Sequence, residues 1–125
     1  MSDSIRDLFE TYAERYMAFD ADWVADLCFV PFVAVRAGQA IPLADAAAVR
    51  DHFAGVMDAY RAAGAAEAKI VAFDTRPLGS HAVFATVRWH ARDADGKVLR
   101  DFETTYHLLH GEAGWRMLSY TMHDT

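Results

Sequence analysis

The chain has 125 residues, 54% hydrophobic and 13% aromatic, enough to bury the core of one folded domain and too apolar for a disordered one. Its formal net charge is −6 and it has no basic cluster, which argues against nucleic acid, whose phosphates demand grouped Lys and Arg. A single cysteine, Cys28, leaves no internal disulfide and no thiolate metal cage.

In chain order, the opening residues hold no apolar segment of the signal-peptide kind, and no apolar run approaches the roughly 20 residues that span a bilayer, so a cytoplasmic protein with no membrane partner is expected. Ser4 is a candidate cap for a first helix with Ile5, Leu8, Phe9, Tyr12, Tyr16 and Phe19 at helical spacing. Asp20 caps a short second helix over residues 21–28, with Trp23, Val24 and Leu27 on its apolar side. Pro31 forbids its continuation, and residues 32–36 and 39–43 flank Ala37-Gly38 as a small hairpin. Asp45 caps a third helix over 46–63, whose buried stripe is Val49, Phe53, Val56 and Tyr60 and which Gly64 ends. Residues 68–75 form a further extended piece, turned by Arg76-Pro77-Leu78-Gly79.

Three long strands follow, over 80–93, 97–110 and 115–124, joined by Asp93-Ala94-Asp95-Gly96 and Gly111-Glu112-Ala113-Gly114, both strong hairpin signals. Tight pairing at each turn sorts the side chains. Val83, Ala85, Val87, Trp89 and Ala91 share one face with Phe102, Thr104, Tyr106 and Leu108, and with Met117, Ser119, Thr121 and His123. On the other face Arg88 falls opposite Glu103 and His90 opposite Asp101, favourable cross-strand pairs.

Helices segregated from strands give an α+β class with the helices on one side of a curved sheet. The layout resembles the nuclear transport factor 2-like superfamily, which includes SnoaL-like cyclases and ketosteroid isomerases. The likeness is carried by Glu14-Arg15-Tyr16, the helix over 20–27, residues 33–38 before an Asp-capped helix, and Gly114-Trp115-Arg116-Met117-Leu118-Ser119. It covers the whole chain as a single SnoaL-like domain, 1–125. It implies a cone-shaped, curved antiparallel sheet enclosing a pocket covered by three N-terminal helices. It does not fix a reaction.

On that resemblance the pocket would be lined by Tyr12, Trp23, Phe53, Trp89, Phe102, Thr104, Met117, Ser119 and Thr121, an apolar wall with a few oriented polar groups. A filled core has the same composition. His123 is the inward imidazole of the three-strand face, able to act as acid or base, or else to bond a backbone group at a strand end. Tyr16 matches the position from which ketosteroid isomerases supply an oxyanion-hole tyrosine, and Tyr106 lies near where they place a carboxylic acid. Two such phenols can polarise a carbonyl; the same tyrosine positions on the first helix also read as core. The strand that holds the base in those enzymes reads Phe32-Val33-Ala34-Val35-Arg36, without Asp or Glu. Arg36 binds an anion if it points inward and is a solvated strand end if it does not. His107 and His110 fall on opposite strand faces and His52 has no partner at ligand spacing, so neither metal nor cofactor is expected.

The opposite face gathers Val71, Phe73, Phe84, Leu109, Leu118, Tyr120 and Met122, too apolar for open solvent, which points to a homodimer formed through the outer face of the sheet. Three readings follow: a small hydrophobic-ligand-binding protein; a cofactor-independent lyase, isomerase or hydrolase on a small carbonyl compound with His123 as acid-base and Tyr16 and Tyr106 as donors; or a non-catalytic module with a filled interior.

Overall fold

A computed structural model describes residues 2–123. The elements run α1 (Ser2–Met17), α2 (Ala21–Asp26), β1 (Cys28–Arg36), β2 (Gln39–Leu43), α3 (Ala46–Ala62), β3 (Ala65–Leu78), β4 (Ala82–Asp93), β5 (Val98–Gly111) and β6 (Gly114–Met122). The class is α+β, as expected. Six strands form one sheet in the order β2-β1-β6-β5-β4-β3, antiparallel except for the parallel pair β1–β6. Among the described residues no helix is long and apolar enough to cross a membrane.

Local chemistry sets most boundaries. The Asp20 carboxylate accepts the Trp23 N–H at 3.1 Å and the Asp45 carboxylate accepts the Ala48 N–H at 2.8 Å, so both acidic caps hold their helices. The first helix starts before Ser4, which lies inside it rather than capping it. Between β1 and β2, Ala37 and Gly38 both have positive φ, 51° and 73°, the geometry of the two-residue turn whose twist suits a hairpin. Pro31 falls in the stretch of β1 between Cys28 and Val33 where pairing with β6 is interrupted, and Pro77 lies near the end of the edge strand β3; both are places where a missing N–H is tolerated.

The core lies between the concave side of the sheet and the helices. Phe9 of α1, Phe32 of β1 and Phe53 of α3 are fully buried, each contributing about 2–3 kcal/mol of burial. Phe9 packs 4.7 Å from the Tyr106 ring, and Arg50 of α3 ties back to Asp22 of α2.

The β4–β5 register is the expected one, with Arg88 opposite Glu103 and His90 opposite Asp101. Arg88 reaches diagonally to Asp101 at 2.6 and 2.9 Å, and that pairing holds the Asp101 carboxyl down at about 2. The β5–β6 register departs from expectation. Leu108 faces Met117, but the next pair is His107 with Ser119, so Leu118 is an extra residue in a bulge. One inserted residue exchanges the faces beyond it. Tyr120 and Met122 therefore fall beside Tyr106 and Thr104 on the inner face. Ser119, Thr121 and His123 fall on the outer one. A second shift, between Ile70 and Ala72 of β3, leaves Phe73 opposite Val87 and 6.1 Å from the Phe9 ring, also inside. The apolar outer patch expected from the sequence thus loses Phe73, Tyr120 and Met122.

Candidate functional site

All five tyrosines of the chain line one cavity. Tyr12 and Tyr16 come from the inward face of α1, Tyr60 from α3, Tyr106 from β5 and Tyr120 from β6. Phe53, Val56, Trp89, Phe102, Met17 and Met122, with the small Ala13, Ala68 and Ala91, complete its apolar wall, and Thr104 and Arg36 are its other polar members. The rings pack as a continuous shell: Tyr12 and Tyr16 lie 5.3 Å apart, Tyr16 and Tyr60 6.1 Å, Phe53 and Tyr120 6.0 Å. These are offset or edge-on geometries that favour aromatic pairs. The cavity measures about 50 Å³. An apolar void that admits benzene is about 150 Å³, so this one takes a molecule of a few heavy atoms unless the wall yields.

The hydroxyls divide into two groups. At the α1 end, Trp89 Nε1 donates to the Tyr106 hydroxyl at 3.0 Å. At the other end, Arg36 Nη1 donates to the Tyr120 hydroxyl at 3.2 Å, and that hydroxyl lies 2.7 Å from His52 Nε2. Alternation along β1 sends Phe32, Ala34 and Arg36 to the same side, which is how a cation reaches an otherwise apolar interior. Arg36 is half-buried, and among the described residues no ion pair involves it.

Burial raises the pKa of all five phenols, with neighbouring tyrosines adding to the rise for Tyr12 and Tyr16, so each remains a hydrogen-bond donor at neutral pH. Burial, and then the charge of Arg36, lowers that of His52. With its hydrogen on Nδ1, neutral His52 accepts through Nε2. Arg36 can only donate, so in that tautomer the Tyr120 oxygen accepts from Arg36 and its own hydrogen goes to His52.

Of the residues expected to line a pocket, the structure brings together Tyr12, Tyr16, Phe53, Trp89, Phe102, Thr104 and Tyr106. Met117 is fully buried in the core and does not line the cavity. Trp23 lies in a separate, open groove of about 410 Å³ with Leu8, Leu27 and Trp115. Ser119, Thr121 and His123 are displaced to the other face by the Leu118 bulge. His123 is exposed there, its Nε2 2.7 Å from the Thr105 hydroxyl and its Nδ1 3.9 Å from Glu103. It cannot serve the cavity as acid or base. Arg36, His52, Tyr60 and Tyr120 are the polar residues that sequence reasoning did not assign to the site. Among the described residues, no group of three or more His, Cys, Asp and Glu is placed to hold a metal.

The sequence model of the family described as NTF2-like protein (DUF6841) matches residues 2–125. No curated protein matches significantly. Among solved structures, an NTF2-like protein with a cystatin-like fold from Novosphingobium aromaticivorans superposes with a TM-score of 0.75 at 18% identity, covering 96% of this chain and 79% of that one. An NTF2-like protein of unknown function from Shewanella oneidensis MR-1 gives 0.75 at 15% identity, with 98% of both chains covered. A cystatin-like domain of unknown function from Nostoc punctiforme gives 0.75 at 12%, covering 98% of this chain and 76% of that one. At these identities the structural likeness speaks for the fold alone, while the match to the family model extends over almost the entire sequence. The chain belongs to the NTF2-like family of DUF6841.

Proposed function

We propose that this protein binds a small, largely apolar ligand in the tyrosine-lined cavity. The observation that carries the reading is the convergence of every tyrosine in the chain, together with Arg36, on one concave space. A core built only for stability gains little from several protonated hydroxyls and a guanidinium, because each buried polar group must be repaid by a partner. The enzymatic alternative with His123 as acid-base loses its geometric support, and a purely structural module leaves the polar lining without a purpose. The test is ligand-observed NMR with a panel of small planar carbonyl compounds, on wild type and on Ala68→Phe, which fills the cavity from β3. Saturation transfer from wild type to a compound that disappears with a folded Ala68→Phe supports the reading. Absence of transfer from wild type, or equal transfer from both, refutes it.

A homodimer through the outer sheet face is a second element of the proposal. Its support is the exposure of Val33 on β1, Val71 on β3 and Phe84 on β4 at 37, 39 and 38%, on a sheet that also carries the Arg88–Asp101 ion pair. A two-fold axis would set these apolar groups against their copies. Sedimentation of wild type and Phe84→Asp decides it: a wild-type dimer that dissociates in the variant is expected, and a wild-type monomer at micromolar concentration removes it.

A further inference from the structure

We propose that the Arg36 end of the cavity is a carboxylate site, and that binding there draws a proton onto His52. The inference rests on the cavity being a ligand site and adds to it the ligand's chemical class and its coupling to pH.

Arg36 supplies the first half of the argument. A guanidinium stays charged at any working pH and presents a planar fork that matches a carboxylate. Here it is half-buried at a cavity of aromatic walls, makes its hydrogen bond to a neutral phenol, and has no carboxylate partner among the described residues. The phenols whose charge would be felt at Arg36 are Tyr16, Tyr60 and Tyr120, all protonated at neutral pH. The positive charge has no anionic partner beside the aromatic wall, and a small anion would compensate it. Space of about 50 Å³ limits that anion to a few heavy atoms, and the surrounding rings favour an apolar remainder over a second charge.

Tyr120 and His52 supply the second half. While His52 is neutral with its hydrogen on Nδ1, the Tyr120 hydrogen points along the 2.7 Å contact to Nε2, away from the cavity. A protonated His52 must donate through Nε2, so the Tyr120 oxygen becomes its acceptor and the hydroxyl hydrogen turns toward the cavity, beside Arg36. Protonation therefore adds one donor and one positive charge to the same site. Conversely, an anion beside Arg36 offsets the repulsion that Arg36 exerts on a charged His52. The two effects have the same sign, and by linkage each favours the other. The remaining charges near His52 are compensated elsewhere: Asp51 and Arg50 on α3 face each other, and Arg50 also holds Asp22 of α2.

Propionate and its neutral isostere propionamide, titrated into the full chain and followed by NMR of the His52 ring, test the proposal. Saturating propionate should raise the His52 pKa by about one unit, with affinity roughly threefold or more higher near pH 6 than near pH 8, while propionamide should leave the ring's titration unmoved. Arg36→Met should abolish the preference for propionate. Tyr120→Phe should retain propionate binding through Arg36 with a weaker pH dependence. Equal binding of propionate and propionamide overturns the carboxylate site and leaves the cavity reading standing. Propionate binding with no movement of His52 overturns the coupling. If neither compound binds and the wider panel also fails, both readings fall together.

Discussion

The Tyr120 hydroxyl sits 2.7 Å from Nε2 of His52, joining two residues that are 68 positions apart in the chain. Burial and Arg36 lower the His52 pKa below its ordinary value, so the folded protein prefers the neutral ring. A folded pKa below the unfolded one means that the associated stability is present above about pH 6.5 and is lost as pH falls through the lowered value. The difference in urea midpoint between wild type and His52→Gln should therefore be steady above about pH 7 and shift against wild type on acidification. A difference independent of pH would mean that His52 titrates alike in both states.

Tyr106 gives a prediction about hydrogen bonding rather than charge. Its hydroxyl accepts from Trp89 Nε1 at 3.0 Å in a buried setting. Tyr106→Phe keeps the ring but leaves the indole N–H without its acceptor, which should cost about 1–3 kcal/mol by denaturant titration. The double variant Trp89→Phe with Tyr106→Phe should recover part of that loss, since no orphaned donor remains.

The bulge at Leu118 carries one residue more than the pairing of β5 with β6 needs. It allows Met117 and Tyr120, three positions apart, both to face inward. Deleting Leu118 leaves Met117, Ser119 and Tyr120 in strict alternation, with Met117 and Tyr120 still inward and Ser119 outward, so by denaturant titration the deletion should cost less than roughly 3 kcal/mol, the scale of losing a buried aromatic. A loss of that size or more would show that the bulge itself is required for the inner face.

Cys28 is fully enclosed, its Sγ 3.4 Å from the Val24 carbonyl, and burial pushes its thiol up to about 12. At about pH 8 the thiolate fraction is then on the order of 10⁻⁴. A disulfide reagent should modify the native protein only at the rate at which it unfolds, and quickly in urea.

How far the sequence could be read follows from where its signals were local. The caps at Asp20 and Asp45 and the Gly96 and Gly114 turns depend on a few adjacent residues, and each was legible as such. The β4–β5 register followed from its turn. The β5–β6 register did not, because no glycine or proline marks the Leu118 bulge. The indication lay in polarity: Tyr120 and Met122 make a better inner row than Ser119, Thr121 and His123. The independent turn argument overrode it, and carried His123 into a role it does not hold. Arg36 was ambiguous for a different reason. Val33 and Val35 are as apolar as Phe32 and Ala34, so alternation alone could not choose the inner set. The link from His52 to Tyr120 is a tertiary contact between helix and strand, with no counterpart in local spacing.

The central claim is that five tyrosines share one ligand-accessible space with Arg36, and ring-labelled tyrosine tests it most directly. The chain contains five tyrosines, so the spectrum should hold five assignable ring systems. Titration with propionate should perturb Tyr16, Tyr60 and Tyr120 most, Tyr12 and Tyr106 less, all with one common dissociation constant and all abolished by Ala68→Phe. Rings that stay unmoved at saturating ligand, or that respond with unrelated affinities, would contradict it.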